Sequence, residues 1–456
     1  MENPRNEAIL PTHHLSIRMQ NKPNRKTISI LLVLICGAFL AAWIFSLQKN
    51  ESTPGSVGIG TSVKTSPQPC ISPLGKMPDW SQLAVYQSTI TREKFVDDLT
   101  KYFTCSEAWK NTIEISDSHA IIRTMASDPA SFFRLNFAPA GHEKPAPRPW
   151  RKPEEWRNAQ SDKVLAGLHV AIDAGHLGGE WAQMEERWFK FGDGVAVTEG
   201  DMTLFVARLL KPALEAHGAK VTLVRDSTAP LTKERPETLL DDVKAIDPML
   251  LSTYQAKKAA EGLFYRTSEI RARADFVNGA IKPDLVLCLH FNAASWGDPG
   301  RPTLVEENHF HILLNGAYTD DEIGLDDQRF EMIQKILQGT IHEESALGAA
   351  MADVFAAETQ LPPYPYEVGS PRARNVAGHP YLWARNLLAN RLYNCPVIFF
   401  EPYVMNSLEV HERVQAGDYP GMPVVAGKPR KSIYREYADA VLAGMLDYYK
   451  KFPLKK

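Results

Sequence analysis

The segment LHVAIDAGHLGGEW (residues 168–181) changes character halfway along. Val170-Ala171-Ile172 is apolar and β-prone, and short enough for a buried strand. The run breaks at Gly175, with His176 at the break and Gly178 and Gly179 close behind. A strand ending this way presents an imidazole at the carboxyl end of a sheet, where open α/β sheets place their sites. The glycines allow a sharp turn and a close approach. A single histidine at such a turn is equally at home as a hydrogen-bonded loop residue, so its meaning depends on what else reaches that edge.

Outward from this segment, strand-like and helical runs alternate from about residue 163 onward, the pattern of a doubly wound sheet. A helix is predicted over 199–217, with Met202, Leu204, Phe205, Leu209, Leu210 and Leu214 as its apolar positions and Gly218 as its stop. Strands follow over 220–224, 285–289, 310–314 and 397–400. Helices are expected over 268–280, 345–357 and 435–449, with a further one over 328–337. His290 follows the run LVLCL, Glu401 follows VIFF, and Glu199 opens the first helix.

Parallel strands gather such ends on one edge. Two imidazoles and a carboxylate are a common ligand set for a catalytic zinc, which keeps a further position open. His176, Glu199 and His290 fit that set. Glu401 is then available as the general base. The donors do not form a local motif, so an α/β fold with ordinary polar strand ends competes with this reading. His309 and His311 share one strand face; ordinary hydrogen-bonded histidines compete there with substrate contacts. His379 and His411 read as surface residues, Arg273 as a structural ion-pair partner and Asn292 as a residue that orients the site.

The chain before residue 163 has a different composition. Residues 28–47, ISILLVLICGAFLAAWIFSL, match the thickness of a bilayer core. Arg18, Lys22, Arg25 and Lys26 precede them, which predicts a cytoplasmic tail over 1–27 and an extracytoplasmic remainder. A cleaved signal peptide is the competing reading, although its apolar core is usually shorter. Residues 48–77 read as a Ser/Thr/Gly/Pro-rich stalk. Residues 78–162 read as a small α+β module and a proline-rich linker, with Thr91 capping a helix whose face carries Phe95, Leu99 and Phe103. Cys70 and Cys105 are free to pair in an oxidising compartment, and Cys288 and Cys395 read as buried thiols. A formal net charge of -3 argues against nucleic acid as the main partner.

The blocks DAGHLGG, VTEGDMTL, RARADFVN, LVLCLHFNA and PVIFFEPYVMNSLE, in this order, resemble the zinc-dependent N-acetylmuramoyl-L-alanine amidases of the amidase-3 (AmiC/CwlV-like) family. The resemblance spans residues 168–449. It implies an α/β catalytic domain over 163–456 with a central six-stranded, mostly parallel sheet flanked by helices. It implies hydrolysis of the lactyl–L-alanine amide of peptidoglycan, with Zn2+ on His176, Glu199 and His290 and with Glu401 catalytic. Together with the 28–47 run and its flanking charges, it leads to the expectation of a single-pass protein of the bacterial inner membrane with its catalytic domain on the periplasmic side. A non-catalytic wall-binding protein and a zinc peptidase acting on another amide are the alternatives. The sequence departs from the family in a long, aromatic 177–198 segment and in long 227–265 and 317–344 segments. In some family members a helix inserted near the last position covers the site until a protein activator removes it, so a lid over 328–337 is an expectation. The 177–198 segment reads as a groove wall, a lid or a surface insertion with its own small core.

Overall fold

Thr91 Oγ1 accepts the Lys94 N–H at 3.2 Å and starts helix α1, Arg92–Asp98, as its side-chain chemistry requires. Phe95, Leu99 and Phe103 are all buried on one side of that stretch. A three-stranded antiparallel meander follows, β1 (Ile113–Ile115), β2 (His119–Arg123) and β3 (Phe132–Asn136). The computed structural model describes residues 68–157, 162–250, 252–367 and 369–452. The predicted anchor, 28–47, lies outside the described residues. Among those residues no helix is long and apolar enough to cross a membrane.

The larger sheet begins with β4, His169–Ala174, and continues through helix α2, Glu199–Ala216, to β5, Lys220–Leu223. Helix α3, Glu269–Phe276, leads to β6, Leu285–Leu289, and β7 is Phe310–Leu314. Two further helices, α4 (Asp326–Gln338) and α5 (Thr340–Thr359), precede the short β8 (Arg374–Asn375) and β9 (Leu382–Ala384). The last strand of this sheet is β10, Val397–Pro402, and helix α6, Ile433–Lys450, closes the fold. The strand order is β8-β9-β7-β10-β6-β4-β5. Pairs β4–β5, β4–β6, β6–β10 and β7–β9 are parallel, whereas β7–β10 and β8–β9 are antiparallel.

The sheet therefore has seven strands, not six. The extra edge comes from β8 and β9, in the stretch RNVAGHPYLWA, where glycine and proline hide the two-residue period. Their pairing is set by the side of β7 that β10 leaves open.

Alternation along the strands explains why both faces are covered. Val170, Ile172, Leu285, Leu287, Ile312, Ile398 and Phe400 face one apolar cluster; Ala171, Val286, Cys288, Leu313, Val397 and Phe399 face another. Near-continuous apolar runs are what a sheet buried on both faces needs. Cys288 and Cys395 are buried free thiols, as expected. Cys70 and Cys105 are also free, with the Cys105 Sγ 3.3 Å from the Ala317 carbonyl.

Helix α4 is not a lid. Almost every residue in it is buried, charged ones included. Asp326 accepts the N–H groups of Cys70 and Ala126 and pairs with Arg329, which also donates to the Arg123 and Ile323 carbonyls. Asp327 accepts the Ser72 N–H. Lys335 donates to the carbonyls of Tyr393 and Cys395, just before β10 begins. Glu401 lies at the other end of that strand. The helix thus joins the meander, the 70–72 strap and the sheet at the edge opposite the candidate site.

Glu344 on α5 is fully buried, and one of its oxygens accepts the Val397 N–H at 3.1 Å. Burial pushes its carboxyl up to about 7, with nearby Lys335 only partly offsetting this. Because the folded-state pKa exceeds the unfolded one, this contribution to stability is fully present below about pH 4.5 and is lost as pH rises through about 7. The expected loss is about 3 kcal/mol. Glu344→Gln should flatten that slope; urea midpoints at pH 5 and pH 8 for both proteins check it.

Candidate metal centre

The turn after β4 is built by close approach. Gly175 N donates to the Leu289 carbonyl at 2.9 Å, and a Cβ on Gly175 would fall 2.3–2.5 Å from the His290 ring. Only glycine lets the two strand ends come this near. His176 itself takes left-handed backbone, φ 58°. That conformation costs a non-glycine residue roughly 1–2 kcal/mol, so the surroundings must hold it. Two buried arginines do so. Arg225 donates to the carbonyls of Ala174 and Gly175, and Arg273 to those of Ala174 and His176. Arg273 also pairs with Asp173 at 2.9 Å and Glu269 at 2.8 Å. Burial and the charge of Arg273 pull Arg225 down to about 9.

Donor atoms of His176, Glu199 and His290 all lie within 4.8 Å of one another. Glu199 opens α2 and is 2% exposed. Its Oε1 lies 3.0 Å from His290 Nδ1 and accepts the Phe291 N–H at 3.1 Å. Its Oε2 lies 3.2 Å from His176 Nε2 and 3.2 Å from Arg187 Nε. Burial alone would raise this carboxyl. The imidazoles of His176 and His290, with Arg187, outweigh it and hold Glu199 at about 2. His290 stacks on Phe399 at 4.3 Å, which fixes its ring plane.

Two imidazoles that follow strands and a carboxylate that opens a helix, converging at one edge, suit a divalent cation with one position left open. Glu401 follows Phe400 and so shares the face of Phe399. Burial first, then the negative charge of Glu199, push its carboxyl up to about 8, against partial offsets from His176, Arg385 and Arg187. The expected quartet of His176, Glu199, His290 and Glu401 is thus gathered at one edge of the sheet.

Three participants were not singled out from the sequence. Arg225 follows an apolar strand, the same local signal that marked His290 and Glu401. Arg187 and Glu185 lie in the 177–198 segment and have no comparable signal. Glu185 is 2% exposed; it accepts the N–H groups of Leu177 and Gly178, and lies 3.6 Å from His176 Nδ1. Burial pushes it up, but His176 and those N–H groups hold it below the usual carboxylate range. A carboxylate behind a ligand imidazole fixes its orientation and tautomer. Glu185→Gln is expected to weaken the binding of a divalent cation at this cluster roughly 10–100-fold, read by competition with a chelating dye.

The remaining histidines are placed differently. His309 and His311 are buried under Tyr364 and Tyr366, with His309 Nε2 and His311 Nδ1 lacking protein partners. The ordinary hydrogen bonds expected for them are therefore incomplete. His379 is half-buried and meets Asp353 at 3.1 Å. His411 is not a surface residue: Phe189 and Phe191 cover it. Arg273 is the ion-pair residue the sequence suggested. Asn292 caps the Ala293 N–H and tethers Met405 and Pro402 through its backbone.

No protein-family model and no curated protein matches the chain. Solved structures similar to it are N-acetylmuramoyl-L-alanine amidases. The CwlD amidase from Clostridioides difficile, solved with the GerS lipoprotein, aligns at a TM-score of 0.36 and 13% identity, covering 62% of this chain and 98% of that one. Ami1 from Mycobacterium abscessus gives 0.34 and 17%, over 62% and 99% of the two chains. AmiC2 of Nostoc punctiforme gives 0.33 and 15%, over 62% and 98%. TM-scores this low leave the chemistry to be read from the side chains themselves.

Proposed function

We propose that the chain is a zinc-dependent N-acetylmuramoyl-L-alanine amidase, held at the inner membrane by residues 28–47 with residues 163–456 as an outward-facing catalytic domain acting on peptidoglycan. The observation that carries this reading is the convergence of His176, Glu199 and His290 at the sheet edge where Glu401 ends a neighbouring strand. When bound, zinc supplies Lewis-acid polarisation of the scissile carbonyl and lowers the pKa of water towards ~7.

The chain's own residues do the rest. Glu199 stays ionised and holds both imidazoles in place. Glu185 orients His176 from behind. Glu401 takes a proton from the attacking water and hands it to the departing L-alanine nitrogen. Breaking the amide leaves the lactyl carboxylate on the sugar and a free amine on the stem peptide.

The test is digestion of purified sacculi, with released fragments identified by mass. Whole stem peptides with a free L-alanine amine support the amidase. Shortened stems would replace it with a peptidase, and absence of any chelator-sensitive release would leave a wall-binding protein.

A further inference from the structure

Beside the metal centre, but outside it, lies a cavity of about 420 Å³ lined by Gln183, Glu186, Trp188, Trp296, Gly297 and Pro299. It falls in the usual size range of small-molecule sites, roughly 300–1,000 Å³. Its walls are registered to the site. Trp188 pairs with Thr198 in a two-stranded ribbon, so one neighbour of the pair is Arg187, which touches Glu199, and the other is Glu199 itself.

The frame beneath the cavity is fixed. Phe189 is fully buried and packs on Trp296 at 5.0 Å and on His411 at 6.4 Å. Lys190 N donates to the Pro299 carbonyl at 2.9 Å, tying the ribbon to the 296–300 loop. Glu186 takes left-handed backbone, φ 57°, which ends the turn begun at Gly179. That reversal sends Glu185 inward to His176 and Glu186 outward to the cavity rim. A non-glycine residue held there at a cost of roughly 1–2 kcal/mol marks a turn whose geometry is used.

The polar groups at the rim are available. Among the described residues, neither the Trp188 nor the Trp296 indole N–H donates to a protein group, and the Gln183 carboxamide is likewise free of protein partners. Glu186 is paired through one oxygen with Arg266 at 3.1 Å. Two indoles, a carboxamide and a carboxylate suit one ligand chemistry above others. The electron-rich indole face attracts the polarised C–H bonds on the flat side of a pyranose. The indole N–H, carboxamide and carboxylate then meet its hydroxyl and acetamido groups. A phosphate or carboxylate ligand would meet Glu186, the only charged residue of the lining, while Arg266 is engaged by that same carboxylate, and an acyl chain would strand the polar rim.

We infer that this cavity is a saccharide subsite that grips a β-1,4-linked N-acetylhexosamine strand next to the reacting amide. The inference rests on the amidase reading for the identity of the polymer, and it makes the glycan chain, rather than the stem peptide alone, a determinant of substrate choice. The 177–198 segment thus acts on both sides, with Glu185 towards the metal ligands and Trp188 towards the sugar.

The full-length protein is titrated with N-acetylchitotetraose, which carries no peptide and no scissile amide, while tryptophan fluorescence and heat are followed. Saturable binding by the wild type is expected, weakened at least about tenfold, or 1.4 kcal/mol, by Trp296→Ala and by Trp188→Ala. Gln183→Ala, at the exposed rim, keeps the test open should either tryptophan variant fail to fold; it should weaken binding in the same direction. On sacculi, the variants should raise KM with kcat little changed. No sugar binding at millimolar concentration, or equal binding by all variants, would overturn the subsite. Because the titration needs no turnover, tryptophan-dependent sugar binding without peptide release would sink the amidase reading and keep the subsite.

Discussion

Glu401→Gln is expected to lower stem-peptide release from purified sacculi by roughly 10²–10⁴-fold, the usual worth of a positioned general acid–base. The substitution keeps the side-chain shape at the end of β10 and removes only the group that moves the proton. Glu401 makes no backbone bond through its carboxyl among the described residues, and its neighbours Phe400 and Pro402 are held in the sheet by main-chain pairing with β7. Stability should therefore change little. Zinc content should also persist, since the three proposed ligand donors are His176, Glu199 and His290. Metal analysis beside the sacculus digest separates the two effects. A variant that retains turnover would remove Glu401 from the chemistry, and one that loses zinc would make it a ligand.

Arg273→Met should cost about 3–5 kcal/mol of unfolding free energy. The guanidinium is 4% exposed and neutralises two carboxylates that are themselves buried, Asp173 and Glu269. Burial alone would lower its pKa, but the charges of Asp173 and Glu269 raise it above the ordinary arginine value. Removal takes the paired cation from two buried carboxylates and frees the His176 carbonyl, while the Ala174 carbonyl keeps its bond from Arg225. Lysine would not rescue it, because one ammonium cannot span the four acceptors that the planar fork reaches. Urea unfolding measures the loss, and dye competition should show weaker zinc binding in parallel, since His176 depends on the same bond. A loss below about 1 kcal/mol, the size of an exposed pair, would mean that the cluster is solvated.

The quartet at the sheet edge was legible because each member has a local signature. His176, His290 and Glu401 follow apolar runs, and Glu199 opens a well-patterned helix. Thr91 was legible for the same reason, as the cap of a patterned helix. What lay hidden depends on distant contacts. Helix α4 looks amphipathic and insertable, yet its charges are satisfied by Cys70, Ala126, Arg123 and Tyr393, all remote in sequence. Edge strands β8 and β9 are short, and their partner is chosen by the direction of β7. Glu185 reads as one acid among several until the left-handed turn at Glu186 turns it inward. His411 is polar by type and buried by Phe189, from a segment far upstream.

The strand order has a consequence for when the protein becomes able to act. β10 is the last strand of the seven-stranded sheet in chain order, yet it lies in the middle of that sheet, between β6 and β7. Until it inserts, β4, β5 and β6 form one half-sheet and β7, β8 and β9 another, each with an open inner edge. Such long-range closure comes late in folding. The strand that joins the halves also delivers Glu401. A nascent or partly unfolded chain can thus bring its first three donors together without the group that moves the proton. The architecture makes hydrolytic competence the final event of assembly, a built-in delay for a protein whose proposed substrate is the wall that keeps its own cell intact.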